Sequence, residues 1–150
     1  MRNRWNTYLV MAMAAGILVS GVTGASGAPP LYSKYSLLGI YRVSFTVFSA
    51  TSGKLESGLG IFVADGNGSI SGTETFNTGT TVCNVTVTGT YTVNQNGTGT
   101  LNATFTSPAA GCSGTFNSSL LLSEGGDLVR SVSTDPGFVT ISEEWRRSAE

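Results

Sequence analysis

The sequence predicts an all-β fold, an eight-stranded antiparallel barrel of the up-and-down kind, with a β-sandwich as the alternative. Three observations lead there. From residue 38 onward the chain is rich in Gly, Thr, Ser and Val, and its apolar residues recur with period two rather than with the 3.6 period of a helix. Turn residues break that alternation about every 8–14 positions, the mark of many short strands. The links are short, so consecutive strands are expected to be antiparallel neighbours in a meander.

The elements follow in order. Arg2 and Arg4 precede an apolar run, Leu9 to Val19, and then small residues as far as Ala28. This three-part pattern predicts a secretory signal peptide over residues 1–28, because the apolar run is too short for a comfortable membrane span. An uncleaved anchor is the alternative. Without Arg2 and Arg4, six basic residues face nine acidic ones, a net charge of −3. Residues 29–37, with Pro29 and Pro30, form an expected extended lead-in, and residues 38–147 a single barrel domain. Within it the strands are expected at Leu38–Ser49, Leu55–Ala64, Ser69–Asn77, Thr81–Val93, Thr98–Ser107, Gly114–Leu122, Asp127–Ser133 and Phe138–Arg146. Asp65-Gly66-Asn67-Gly68 and Asn94-Gln95-Asn96-Gly97 supply the positive-φ residues that tight hairpins need, and Asp135-Pro136-Gly137 is a further turn. Asp65, Asn67 and Ser69 alternate as early calcium-loop ligands do, but Phe76 stands where the bidentate Glu should be, which leaves a hairpin turn. A shift of 29 positions superposes Gly60 on Gly89, Phe62 on Tyr91 and Phe76 on Phe105, so a strand–turn–strand unit occurs twice. A Gly-x-aromatic triplet occurs four times, starting at Gly39, Gly60, Gly89 and Gly114.

Alternation also assigns faces. It directs Tyr41, Val43, Phe45 and Val47 inward on the first strand, and Val85, Val87, Tyr91 and Val93 inward on the fourth. On later strands it directs inward Ile70, Glu74 and Phe76, then Leu128, Arg130 and Val132, then Val139, Ile141, Glu143 and Trp145. Three charges, Glu74, Arg130 and Glu143, thus fall on the inner face, where each must be paired or the site must be wet. Arg130 beside Glu143 is the expected ion pair, and Arg42 with Glu144 a second one outside, across the seam between the first and last strands. Cys83 and Cys112 are the chain's two cysteines; in an exported protein an even count predicts a disulfide, with two buried free thiols as the alternative.

Composition excludes several functions. The chain has 150 residues, 11% of them charged, a net charge of −1 and no His. A Ser/His/Asp or Cys/His nucleophilic site and a His-based zinc site are therefore ruled out. A near-neutral chain lacks the clustered Lys and Arg of a nucleic-acid binder. Nothing in the sequence calls for a cofactor or a metal.

The Gly39-x-Tyr41 opening, the "DGNG" and "NGTGTL" turns and a basic residue closing the last strand resemble a group of Gly/Thr-rich exported bacterial proteins. Gly39-x-Tyr41 with Arg146 or Arg147 is also similar to the calycin arrangement, in which a Gly-x-Trp on the first strand packs under an Arg from the last; here Tyr replaces Trp. The general shape is shared with allene-oxide-cyclase-like barrels. The resemblance covers roughly residues 38–147 and implies a fold more than an activity.

Three functions follow as expectations. The first is a secreted or periplasmic module that holds a small apolar ligand in its lumen, with Tyr41, Phe45, Glu74, Tyr91, Phe105, Arg130 and Glu143 as candidate binding residues. No nucleic-acid partner and no membrane span after signal cleavage are expected. The second is a surface or matrix protein acting through Thr/Ser-rich outer faces. The third, implied by the resemblance, is an isomerase or cyclase that uses one carboxylate, Glu143.

Overall fold

A computed structural model describes residues 31–149. The signal peptide expected over residues 1–28 lies outside the described residues. Eight strands follow one another: β1 (Gly39–Ser49), β2 (Lys54–Ala64), β3 (Ser69–Asn77), β4 (Val82–Val93), β5 (Thr98–Thr106), β6 (Gly114–Ser123), β7 (Leu128–Ser133) and β8 (Phe138–Arg147). Each is antiparallel to the next, and β8 returns to β1 to close the barrel. The up-and-down barrel forms and the sandwich does not. Closure is read directly from the register, with Tyr41 opposite Arg147, Val43 opposite Trp145 and Phe45 opposite Glu143.

The hairpins use the chemistry written in their turns. Asp65 Oδ1 accepts three backbone N–H bonds, from Asn67, Gly68 and Ser69, at 2.8, 3.0 and 2.9 Å. Gly66 and Gly68 supply the positive φ that this tight turn requires.

One end of the barrel is filled. Tyr41, Phe62, Val87, Leu101, Val129 and Trp145 are fully buried there, and Trp145 stands edge-on to Phe62 with ring centroids 5.4 Å apart. The lead-in is not extended as expected. Residues Lys34–Leu37 form a 3-10 turn that drives Leu37, 0% exposed, into this end as a plug. Burying that side chain stabilises the turn by about 2 kcal/mol, more than extension in water would offer an apolar leucine. Arg147 seals the plug. Its guanidinium lies 5.5 Å from the centre of the Tyr41 ring, donates to the Tyr41 hydroxyl and the Ser36 carbonyl, and pairs with Asp127 at 2.8 Å. The Tyr41 hydroxyl in turn donates to the Gly126 carbonyl at 2.8 Å.

Two face assignments are corrected. On β7 the inward set is Val129 and Ser131, not Leu128, Arg130 and Val132: Val129 is fully buried in the core, Arg130 and Val132 are exposed, and Leu128 is buried but packs outside the core cluster. The neighbours impose this phase, since Val129 faces Leu122 on β6 and Trp145 on β8, both buried, while Arg130 faces exposed Leu121. On β8 a register shift opposite Thr46 and Val47 skips Ile141, so Val139 and Ile141 point outward and are 58% and 60% exposed. The outer pair is also different. Arg146, not Arg42, pairs with Glu144, at 2.6 Å, and Arg42 stands opposite Arg146.

Candidate functional site

The other end of the barrel is not filled, and the reason lies in its side chains. Where the plugged end carries Trp, Tyr and Leu, inward positions near the opposite mouth include Gly58 on β2, Gly114 and Ser118 on β6, and Ser131 and Ser133 on β7. These small residues leave space. A cavity of about 140 Å³ results, lined by Phe45, Val47, Glu56, Phe62, Glu74, Phe76, Phe105, Thr115, Phe116, Ser118, Ser133, Asp135, Phe138 and Glu143. Six of the chain's seven phenylalanines therefore face one small space.

Four of those rings form a continuous arc. Phe45 to Phe76, Phe76 to Phe105 and Phe105 to Phe116 have centroid separations of 6.5, 5.7 and 6.2 Å, within the range of favourable aromatic pairs. Two glycines make room for it. A Cβ on Gly58 would stand 2.5 Å from Phe45 Cε1, and one on Gly114 would stand 2.8 Å from Phe105 Cζ. The repeated Gly-x-aromatic pattern is explained in part: the glycine at 114 clears space for a cross-strand ring rather than bending the wall.

The electrostatics of the cavity are one-sided. Four carboxylates line it and, among the described residues, no Lys or Arg does. Asp135 is committed to the wall, accepting from Asn117 N at 2.7 Å and Asn117 Nδ2 at 2.8 Å. Glu143 Oε1 accepts from the Trp145 indole N–H at 3.0 Å, and burial holds its pKa above the usual carboxylate range. Burial also raises Glu56. Neither Glu56 nor Glu74 meets a donor or cation among the described residues, and at Glu74, the more buried of the two, burial and then the charge of Glu143 push the pKa up to about 7.

The wall is weakest beside Glu143. The paired register of β7 and β8 ends at Arg130 and Glu144. Beyond that point Ser133 N donates to the Thr140 hydroxyl at 2.7 Å, and the buried Ser131 hydroxyl lies beside the Glu143 carboxylate, whose charged form it favours. The disulfide expected from the sequence is present: Cys83, at the start of β4, joins Cys112, in the β5–β6 loop, and both are buried. It ties residues 107–113 to the mouth.

Four of the seven binding residues expected from the sequence, Phe45, Glu74, Phe105 and Glu143, are brought together here. Tyr41 and Tyr91 are not. Both are buried at the plugged end, where the Tyr91 hydroxyl donates to the Lys34 carbonyl at 3.1 Å. Arg130 lies outside, so the expected Arg130–Glu143 pair does not form. Sequence reasoning did not include Glu56, Phe76, Phe116 or Phe138 in the site. The first three were within reach, because Glu56 and Phe76 are an even number of residues from inward Phe62 and Glu74 on their own strands, and Phe116 from inward Leu120 and Leu122 on its own. Phe138 was not, because the register shift on β8 breaks that count. Broader hollows of about 520 and 440 Å³ lie on the outer wall, bordered by outward side chains such as Thr73, Thr86, Thr92 and Asn102, and they do not enclose a ligand. No family model, curated protein or solved structure matches the chain.

Proposed function

We propose that the protein is an exported binding module that holds one small ligand at the mouth of its barrel. The observation that carries this reading is the arc of phenylalanines around a cavity of about 140 Å³. A compact apolar fold would ordinarily close such a space, since an unfilled cavity costs packing energy in proportion to its volume. The volume also bounds the ligand. A cavity of about 150 Å³ accepts benzene, whereas drug-sized molecules occupy about 300–1,000 Å³. The part of the ligand held inside is therefore about the size of a single ring. Export is supported by the basic–apolar–small order of residues 1–28 and by the disulfide, which persists in oxidising compartments. Among the described residues no helix is long and apolar enough to cross a membrane.

Trp145 is a built-in reporter, since it packs on Phe62 and donates to Glu143, both of which line the cavity. Titration with single-ring probes such as toluene and benzyl alcohol should give a saturable change in its fluorescence at one site per chain. Absence of saturation with every single-ring probe, charged or neutral, overturns the reading.

A further inference from the structure

We propose that the mouth cavity selects a small organic cation, an ammonium group carried on an apolar body about the size of one aromatic ring. The inference rests on reading this cavity as a ligand site and adds the chemical class of the ligand. Two independent features converge on it. The rings of the aromatic arc line the space, and an ammonium over an aromatic face is attracted by the ring quadrupole. Glu74, beside that arc, is a largely buried carboxylate without a partner, facing a second buried carboxylate, Glu143.

Such a pair is costly in an empty barrel, because a buried charge needs an opposite charge or donors around it. Glu143 has the Trp145 indole N–H as a donor, but Glu74 has none, and among the described residues no cation pairs with either. Glu56 on β2 and Asp135 in the β7–β8 turn add negative charge, and the inward residues of β4, β5 and β6 at the cavity carry no charge. Arg130, which alternation directed inward, faces away, and Arg147 is engaged at the plugged end. The missing positive charge is supplied from outside, by the ligand. The lapse of the β7–β8 ladder beside Glu143 leaves the ammonium a less constrained wall.

A pH signature follows. Glu74 is half protonated near pH 7, so binding a cation at lower pH expels a proton, and affinity should fall about tenfold per pH unit as pH drops below that point.

The test compares benzylammonium with benzyl alcohol by calorimetry on the full mature chain, at pH 8 and pH 6. At pH 8 the cation is expected to bind roughly tenfold or more tightly than the alcohol, with the preference shrinking at pH 6. Glu74→Gln should abolish the preference, bringing the affinity for benzylammonium down to that for benzyl alcohol; Glu143→Gln serves as a second variant should the first fail to fold. Equal affinity for the two probes overturns the cation proposal but leaves the small-ligand reading standing. Failure of both probes to bind overturns both. A preference that survives unchanged in a folded Glu74→Gln or Glu143→Gln variant also overturns the proposal.

Discussion

Glu74 couples the fold to pH. Its pKa is about 7 when folded against 4.5 for the free carboxyl, so the folded state holds its proton more tightly than the unfolded state does. The stability this proton confers is complete below pH 4.5 and is lost as pH rises to 7, a change on the order of 3 kcal/mol. Glu143 is shifted in the same direction and adds to the trend. The melting temperature should therefore fall between pH 4.5 and pH 8, and Glu74→Gln should flatten that slope and melt above the wild type at pH 8. A flat wild-type profile over this range, measured by circular dichroism, would show that Glu74 is solvated or paired. Alternation placed Glu74 and Glu143 inside because Phe76 and Trp145, two residues away on the same strands, leave no doubt about the phase. The same rule failed at Arg130, where Leu-Val-Arg-Ser-Val-Ser offers apolar residues to both faces and only the neighbouring strands decide.

Single elements stand or fall on contacts distant in sequence. The β5–β6 loop has little apolar area of its own beyond Cys112, and the link to Cys83, 29 residues earlier, fixes it. Replacing both cysteines with serine should lower the unfolding free energy by roughly 3–4 kcal/mol in urea titrations, the loop-closure value for a ring of this length. A loss below about 1 kcal/mol would mean that the loop is held by other contacts. The lead-in is the counterpart at the opposite end. Leu37→Ala should cost about 2–5 kcal/mol, as for other buried leucines, although the residue lies outside every strand. Turn chemistry made the hairpins legible, because Asp-Gly and Asn-Gly demand a local backbone shape. The lead-in was not legible, because what folds Lys34–Leu37 is a hydrophobic socket built by β1 to β8, and a nine-residue segment contains no trace of it.

At the scale of the molecule the barrel divides labour between its ends. One end, closed by Leu37, Trp145 and the Arg147–Tyr41–Gly126 network, carries stability; the other, lined by phenylalanines and carboxylates, carries a cavity at the mouth. None of the residues that line the cavity belongs to the Arg147 network, and Phe62 and Glu143 meet Trp145 between the two layers. The two functions should therefore separate by mutation. Arg147→Ala removes charge-assisted hydrogen bonds to the Tyr41 hydroxyl and the Ser36 carbonyl, and is expected to cost about 1.5–3 kcal/mol while ring-sized probes bind with unchanged affinity. Phe116→Ala shortens the aromatic arc at its half-buried end, and should weaken probe binding several-fold with a smaller loss of stability. Measuring melting and affinity on both variants gives four numbers that must pair crosswise. If Arg147→Ala, still folded at the assay temperature, loses binding as well, the two ends act as one unit through Trp145, and the cavity would be a by-product of how the barrel packs rather than a site that the fold has set apart.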